Sequence, residues 1–161
     1  MALSLLSPSF ESQGEIHAKQ TCEGGDLSPA LSWSDAPPGT KSFALIVDDP
    51  DAPDPKAPKM TYVHWVLYDI PANAEGLGAD GAAPTGARTG TNDRKRSAYT
   101  GPCPPIGRHR YFFKLYALDT MLGDLSMPSK AALEGAMRGH VLAQAELVGT
   151  YERPSKRGAS N

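Results

Sequence analysis

The stretch that decides the fold is Phe43 to Pro71, FALIVDDPDAPDPKAPKMTYVHWVLYDIP. An apolar run, Phe43 to Val47, ends in the acidic, proline-broken segment Asp48-Asp49-Pro50-Asp51-Ala52-Pro53. A second apolar run, Tyr62 to Ile70, carries a single histidine, His64. Short continuous apolar runs bounded by proline and aspartate read as buried strands. The segment between them reads as a loop too stiff and too polar to be a mere connection, and such loops on a strand scaffold are where binding groups sit.

Working outward, Asp35-Ala36-Pro37-Pro38-Gly39-Thr40 is a turn that feeds the first of these strands. Upstream, Met1 to Phe10 reads as an edge strand. Glu15 to Thr21 reads as extended, and Pro29 to Trp33 is a short apolar stretch. Downstream, residues 72–98 hold few large apolar side chains. A loop longer than about 15 residues is usually functional or mobile. Its one charge cluster is Asp93-Arg94-Lys95-Arg96, read as a solvated face or as a basic rim for an anion. Prolines 102, 104 and 105 keep the segment Tyr99 to Gly107 out of any sheet, because proline fixes φ and lacks a donor. His109 to Leu118, HRYFFKLYAL, reads as a long strand.

Ser129 to Ala145 changes period: Leu133, Ala136, Met137, His140, Val141 and Gln144 recur at helical spacing. Ser129 is the expected N-cap. On this reading His140 lies on the apolar face of the helix as a core histidine, and Leu147 to Tyr151 is a last short strand. The expected organisation is one domain over residues 1–152 and a flexible polar tail over 153–161.

The totals fit this picture. A chain of 161 residues with 40% apolar content is long enough for one real core. Fifteen prolines and sixteen glycines suit a β protein with many turns. A net charge of −2 speaks against a nucleic-acid partner. No apolar run reaches the length of a membrane helix, so no integral membrane segment is expected. Met1 to Leu6 lacks the basic start and small-residue cleavage site of a secretory signal, which gives a cytoplasmic expectation. The two cysteines, Cys22 and Cys103, are far apart in sequence and are expected as reduced thiols.

For chemistry, His64 and His109 stand out because each is at the mouth of an apolar strand beside proline-built loops. Zinc would need His64, His109 and Asp49 or Asp51, but no HxH or HExxH spacing supports it, and no metal or cofactor is expected. No GxSxG elbow supplies a nucleophile, so no catalytic residue is assigned. Imidazole and loop N–H groups can hold an oxyanion such as phosphate. Asp49 and Asp51 fit beside an anion only if they turn inward to fix a histidine or the loop. The residues alone therefore imply a small polar pocket with a preference for anions.

Asp49-Pro50-Asp51-Ala52-Pro53, then His64-Trp65, then Gly101-Pro102-Cys103-Pro104-Pro105 leading into His109-Arg110-Tyr111, resemble the phosphatidylethanolamine-binding protein family. The match is best with its bacterial and archaeal, Raf-kinase-inhibitor-like branch. Thr21-Cys22, Leu31-Ser32-Trp33 and Gly149-Thr150-Tyr151 add to it. The resemblance runs from about Leu3 to Arg153. It implies a mainly β fold, a large antiparallel sheet packed on a smaller sheet, with a C-terminal helix. It implies a pocket for a small anion, a phospholipid headgroup or a phosphorylated side chain. The implied ligand-binding residues are Asp49, Asp51, Pro53, His64, Gly101, Pro102, His109 and Tyr111. A cis Ala52–Pro53 bond and self-association into a homodimer are further implications. Ala30, Asp69 and the basic run Arg94 to Arg96 depart from the family pattern. The function expected is non-enzymatic anion binding, with regulation of phosphorylated partners, proteases or kinases as its wider role. A phosphoester hydrolase using the His/Asp cluster and an enzyme inhibitor acting through its surface stand as alternatives.

Overall fold

A computed structural model describes residues 2–79 and 84–154. Its described elements run β1 (Ser4–Leu6), β2 (Gly14–Glu15), a 3-10 turn (Ala18–Gln20), β3 (Leu31–Ser34), β4 (Ser42–Ala52), β5 (Met60–Pro71), β6 (Gly76–Leu77), β7 (Arg88–Thr89), β8 (His109–Leu118), α1 (Lys130–Met137) and β9 (Val141–Tyr151). The large sheet has the order β2-β9-β8-β4-β5-β7, antiparallel except where β2 pairs with β9, and the small sheet is β1-β3-β6. The mainly β, two-sheet architecture with a helix near the C-terminus is thus the one expected.

Strand β4 lies at the centre and explains its own composition. Phe43, Leu45 and Val47 face the small sheet, among Leu3, Leu5, Trp33 and Phe113. Ala44 and Ile46 face α1, among Leu133 and Met137. A strand covered on both faces reads as a continuous apolar run rather than an alternating one. Each large aliphatic or aromatic side chain buried there contributes roughly 1.5–3 kcal/mol. The strand also continues past the apolar run through Asp49-Pro50-Asp51 to Ala52, where a loop was expected. Its pairing with β5 shifts register between Asp49 and Ala52, so the proline and the acids ride on an irregular strand end. The Ala52–Pro53 bond is cis, as the family resemblance implied.

Further expectations need correction. The helix ends at Met137, well short of Ala145. Gly139 takes φ +84°, which terminates the helix, and the chain enters β9 at Val141. The helical spacing of Val141 and Gln144 was coincidental, since both are exposed strand residues. His140 is accordingly not a core histidine: it sits in the turn, half exposed, with Nδ1 2.8 Å from Asp119 Oδ1. The N-cap at Ser129 is present, its Oγ accepting from Ala132 N at 3.1 Å.

Another correction concerns the cysteines, which form a disulfide, Cys22–Cys103. Separation along the chain says nothing of neighbourhood in a folded sheet protein. Here residues 20–26 are laced to residues 99–103. Tyr99 donates to Gln20 O at 2.7 Å, Cys22 N to Pro102 O at 3.0 Å, and Gly101 N to Asp26 Oδ1 at 2.9 Å. Gly101 lies so close that a Cβ would meet Gln20 O at 2.3 Å.

Asp69 closes the far end of β5. Its buried carboxylate accepts from Leu122 N at 2.7 Å, Gly123 N at 2.9 Å and Arg88 Nε at 3.2 Å. No helix among the described residues is long and apolar enough to cross a membrane. Most of the expected tail, residues 155–161, lies outside the described residues.

The bridge joins cysteines 81 positions apart, so its loss frees a long loop in the unfolded chain. Reduction, or Cys22→Ser with Cys103→Ser, is expected to lower the unfolding free energy by about 2–4 kcal/mol. Urea denaturation with and without reductant measures this, and identical midpoints would show that the bridge adds nothing.

Candidate functional site

The end of β4, the start of β5, the start of β8 and the proline segment 101–105 enclose a cavity of about 260 Å³. Six of the eight residues expected from sequence line it: Asp49, Pro53, His64, Gly101, His109 and Tyr111. His64 and His109 converge from neighbouring parts of one sheet because both strands begin at the same edge. Each ring packs on Tyr111, with centroid distances of 5.3 and 6.3 Å.

His109 is fully engaged. Its Nδ1 lies 2.5 Å from Asp49 Oδ2, and its Nε2 lies 2.9 Å from Ile106 O and 3.1 Å from Pro53 O. Carbonyl oxygens only accept, so Nε2 carries a proton; an ionised carboxylate also only accepts, so Nδ1 carries one too. The arrangement is that of a buried imidazolium. Burial works against the charged ring, but the hydrogen bond and charge of Asp49, with the Ile106 carbonyl, outweigh it and raise the His109 pKa. Asp49 is completed by Asp51 N, which donates to its Oδ1 at 2.7 Å. The expected role of Asp49 in holding a histidine fits this geometry. The expected role of His109 as a donor to a ligand does not, because both its nitrogens are spent.

His64 differs. Its Nδ1 donates to Thr100 O at 2.7 Å, which leaves the proton off Nε2 in the neutral ring. Burial lowers its pKa; the Thr100 carbonyl and Asp49 pull the other way, and the charge of Arg94 adds to the lowering. His64 is therefore a neutral ring with a lone pair, not an imidazolium donor, near neutral pH.

Tyr111 is 1% exposed, and its hydroxyl has no hydrogen-bond partner among the described residues. Burial above all, then the Asp49 charge, pushes this phenol far above its ordinary pKa, so it keeps its proton.

Asp51 and Pro102 do not line the cavity. Asp51 instead clamps Arg110: its Oδ2 accepts from Arg110 N at 2.9 Å and Nε at 3.0 Å, and its Oδ1 from Nη2 at 2.9 Å. That fork, foremost, holds the Asp51 carboxyl below the usual range. Pro102 stands one layer back, where its carbonyl accepts from Cys22 N.

Sequence reasoning missed several residues of the wall: Ala52, Met60, Tyr62, Arg94, Cys103, Pro104 and Pro105. Tyr62 could have been found, because it lies two positions before His64 and alternate strand residues share a face. Also missed was buried Asn92. Its Nδ2 donates to His64 O, Ala98 O and Thr100 Oγ1, while its Oδ1 accepts from Arg94 N at 2.9 Å and Arg96 N at 3.1 Å.

With this geometry in place the chain can be set beside known proteins. A family model described as phosphatidylethanolamine-binding protein matches residues 6–152. A relative from Methanothermobacter thermautotrophicus, named UPF0098 protein, is 44% identical over 155 residues, covering 94% of this chain and 99% of its own. The structure resembles the phosphatidylethanolamine-binding protein homologue CT736 of Chlamydia trachomatis, with a TM-score of 0.87, 40% identity, and 94% and 98% of the two chains covered. It also resembles YbcL of E. coli, described as a member of the mammalian PEBP family, with a TM-score of 0.85, 34% identity, and coverage of 95% and 99%. A carboxypeptidase Y inhibitor, seen in complex with its cognate proteinase, is similar at a TM-score of 0.58 and 19% identity over 94% of this chain and 83% of its own, a likeness of fold alone. The chain belongs to the phosphatidylethanolamine-binding protein family.

The two histidines make opposite contributions to stability. Folding raises the His109 pKa above 6.5, so its stabilisation is complete below that pH and is lost as pH rises through the folded value. Folding lowers the His64 pKa, so its neutral burial costs stability as pH falls below 6.5. His109→Gln is expected to cost about 3–5 kcal/mol, since it leaves Asp49 buried without its partner. It should also flatten the alkaline side of the wild-type profile of melting temperature against pH, whereas His64→Gln should flatten the mildly acidic side. Unchanged slopes in both variants would contradict these assignments.

Proposed function

We propose that this chain is a non-enzymatic binding protein whose cavity takes a small oxyanion, of the kind a phosphate group presents. The observation that carries the reading is the Tyr111 hydroxyl on the cavity wall, buried, protonated and without a partner among the described residues. A buried donor left unmade costs about 1–3 kcal/mol, and an anion's oxygen would satisfy it. The charges agree. Asp49 and the His109 imidazolium cancel, His64 is neutral, and Arg94 leaves the lining with one positive charge. Met60, Tyr62 and the prolines make the remaining wall largely apolar, which suits an anion carried on an organic group such as a phospholipid head or a phosphorylated side chain.

The hydrolase alternative draws less support. Acid–base chemistry needs groups free to exchange protons with a substrate. His109 has no free nitrogen, and His64 would have to act alone. A role as a proteinase or kinase regulator, and pairing into a homodimer, rest on family membership rather than on a feature of this cavity. A cytoplasmic site of action belongs to the reading only if the Cys22–Cys103 bridge withstands that compartment's reductants.

Titration calorimetry with phenyl phosphate tests the proposal. Wild type is expected to bind with a stoichiometry of about one per chain, and Tyr111→Phe to bind about tenfold more weakly, as loss of one hydrogen bond to a charged group predicts. No heat of binding to folded wild type at millimolar ligand, or equal affinity in the variant, would overturn it.

A further inference from the structure

We infer that Arg94 is the residue that sets the charge preference of the cavity, favouring a doubly charged phosphate monoester over a singly charged diester. The inference rests on the anion-binding reading and deepens it. It starts from what the other lining groups have left to offer. His109 gives one proton to Asp49 and the other to two carbonyls. Gly101 N is spent on Asp26 Oδ1, and Pro53, Pro104 and Pro105 have no N–H at all. The neutral His64 offers a lone pair, which accepts rather than donates. Tyr111 offers one neutral O–H. Any negative charge on a ligand therefore meets one uncompensated positive group among the described lining residues, the Arg94 guanidinium, and a dianion is drawn to it about twice as strongly as a monoanion.

Among the described residues Arg94 is the one lysine or arginine that lines the cavity, and several other basic side chains are held elsewhere by carboxylates. Arg110 is forked onto Asp51, Arg88 is paired with Asp69, Lys114 and Lys130 share Asp48, and Arg108 lies between Glu15 and Glu152. Among the described residues no carboxylate pairs with Arg94. Its side chain is exposed and reaches the cavity wall, and its charge is felt at the His64 ring. A guanidinium offers a planar fork of donors that matches phosphate oxygens, whereas a lysine there would offer a point charge. Its backbone is not left to chance. Buried Asn92 accepts Arg94 N on one side of its amide and donates to His64 O and Thr100 Oγ1 on the other. One side chain thus fixes the basic loop to the strand that carries His64. The basic run Arg94-Lys95-Arg96 thus acquires a role at its first member.

The test compares phenyl phosphate with its methyl diester, methyl phenyl phosphate, at mildly alkaline pH on wild type, Arg94→Gln and Arg94→Lys. Arg94 is on the surface, so these variants should fold, and superimposable circular dichroism spectra check that. Wild type is expected to prefer the monoester. Arg94→Gln should lose about tenfold in monoester affinity and about threefold in diester affinity, and Arg94→Lys should recover part of the preference. A wild type that binds neither ester would sink the binding reading itself. A wild type that binds the monoester, with an Arg94→Gln variant of unchanged preference, would overturn the role of Arg94 and leave the binding reading standing.

Discussion

The contact between Asp49 and His109 is the constraint on which this site depends. It joins the irregular end of β4 to the first residue of β8, and it does so in the interior, with His109 and Asp49 only 1% and 3% exposed. Two charges removed from water must satisfy each other and find partners for every remaining proton and lone pair. Here the partners are all main-chain groups: Asp51 N on one side, Ile106 O and Pro53 O on the other. The pair therefore pulls the first proline loop and the turn before β8 onto the same wall. The shape of the cavity follows from that, and so does its charge, because a cancelled pair leaves the outcome to whatever else stands on the rim.

This changes what the aspartates are for. A carboxylate inside a proposed anion pocket looks contradictory when each residue is taken alone. Once Asp49 is matched by an imidazolium and Asp51 by a guanidinium, neither opposes an incoming phosphate. The two acids, separated by one residue, serve different neighbours on β8, His109 and Arg110, which are adjacent in sequence. The motif reads as a double clasp between strand ends, and the proposed anion binding leaves the ligand-facing chemistry to Tyr111, His64 and Arg94.

Much of the fold was legible because its signals are local. The strand His109–Leu118 alternates buried and less buried residues, and its limits were read from the proline segment before it. The convergence of His64 and His109 was legible because each lies near the start of an apolar strand beside a stiff loop. What was not legible is what depends on tertiary neighbours. Gly139 ends the helix through a left-handed conformation that a spacing argument over Val141 and Gln144 cannot see. The meeting of Cys22 and Cys103 depends on how residues 20–26 lie along residues 99–103. The protonation of His109 depends on carbonyls contributed by Pro53 and Ile106, neither of which marks itself in the sequence as an acceptor. Asn92 gave no signal at all, since its importance lies in five hydrogen bonds made by one amide.

The account is tested most directly by the protonation states of the two ring systems. Nitrogen-15 spectra of selectively labelled histidine near neutral pH distinguish an imidazolium from either neutral tautomer. The prediction is that His109 carries protons on both ring nitrogens while His64 carries one, on Nδ1. A neutral His109 with one bare nitrogen would contradict the ion pair, and with it the charge balance from which the cavity's preference is derived.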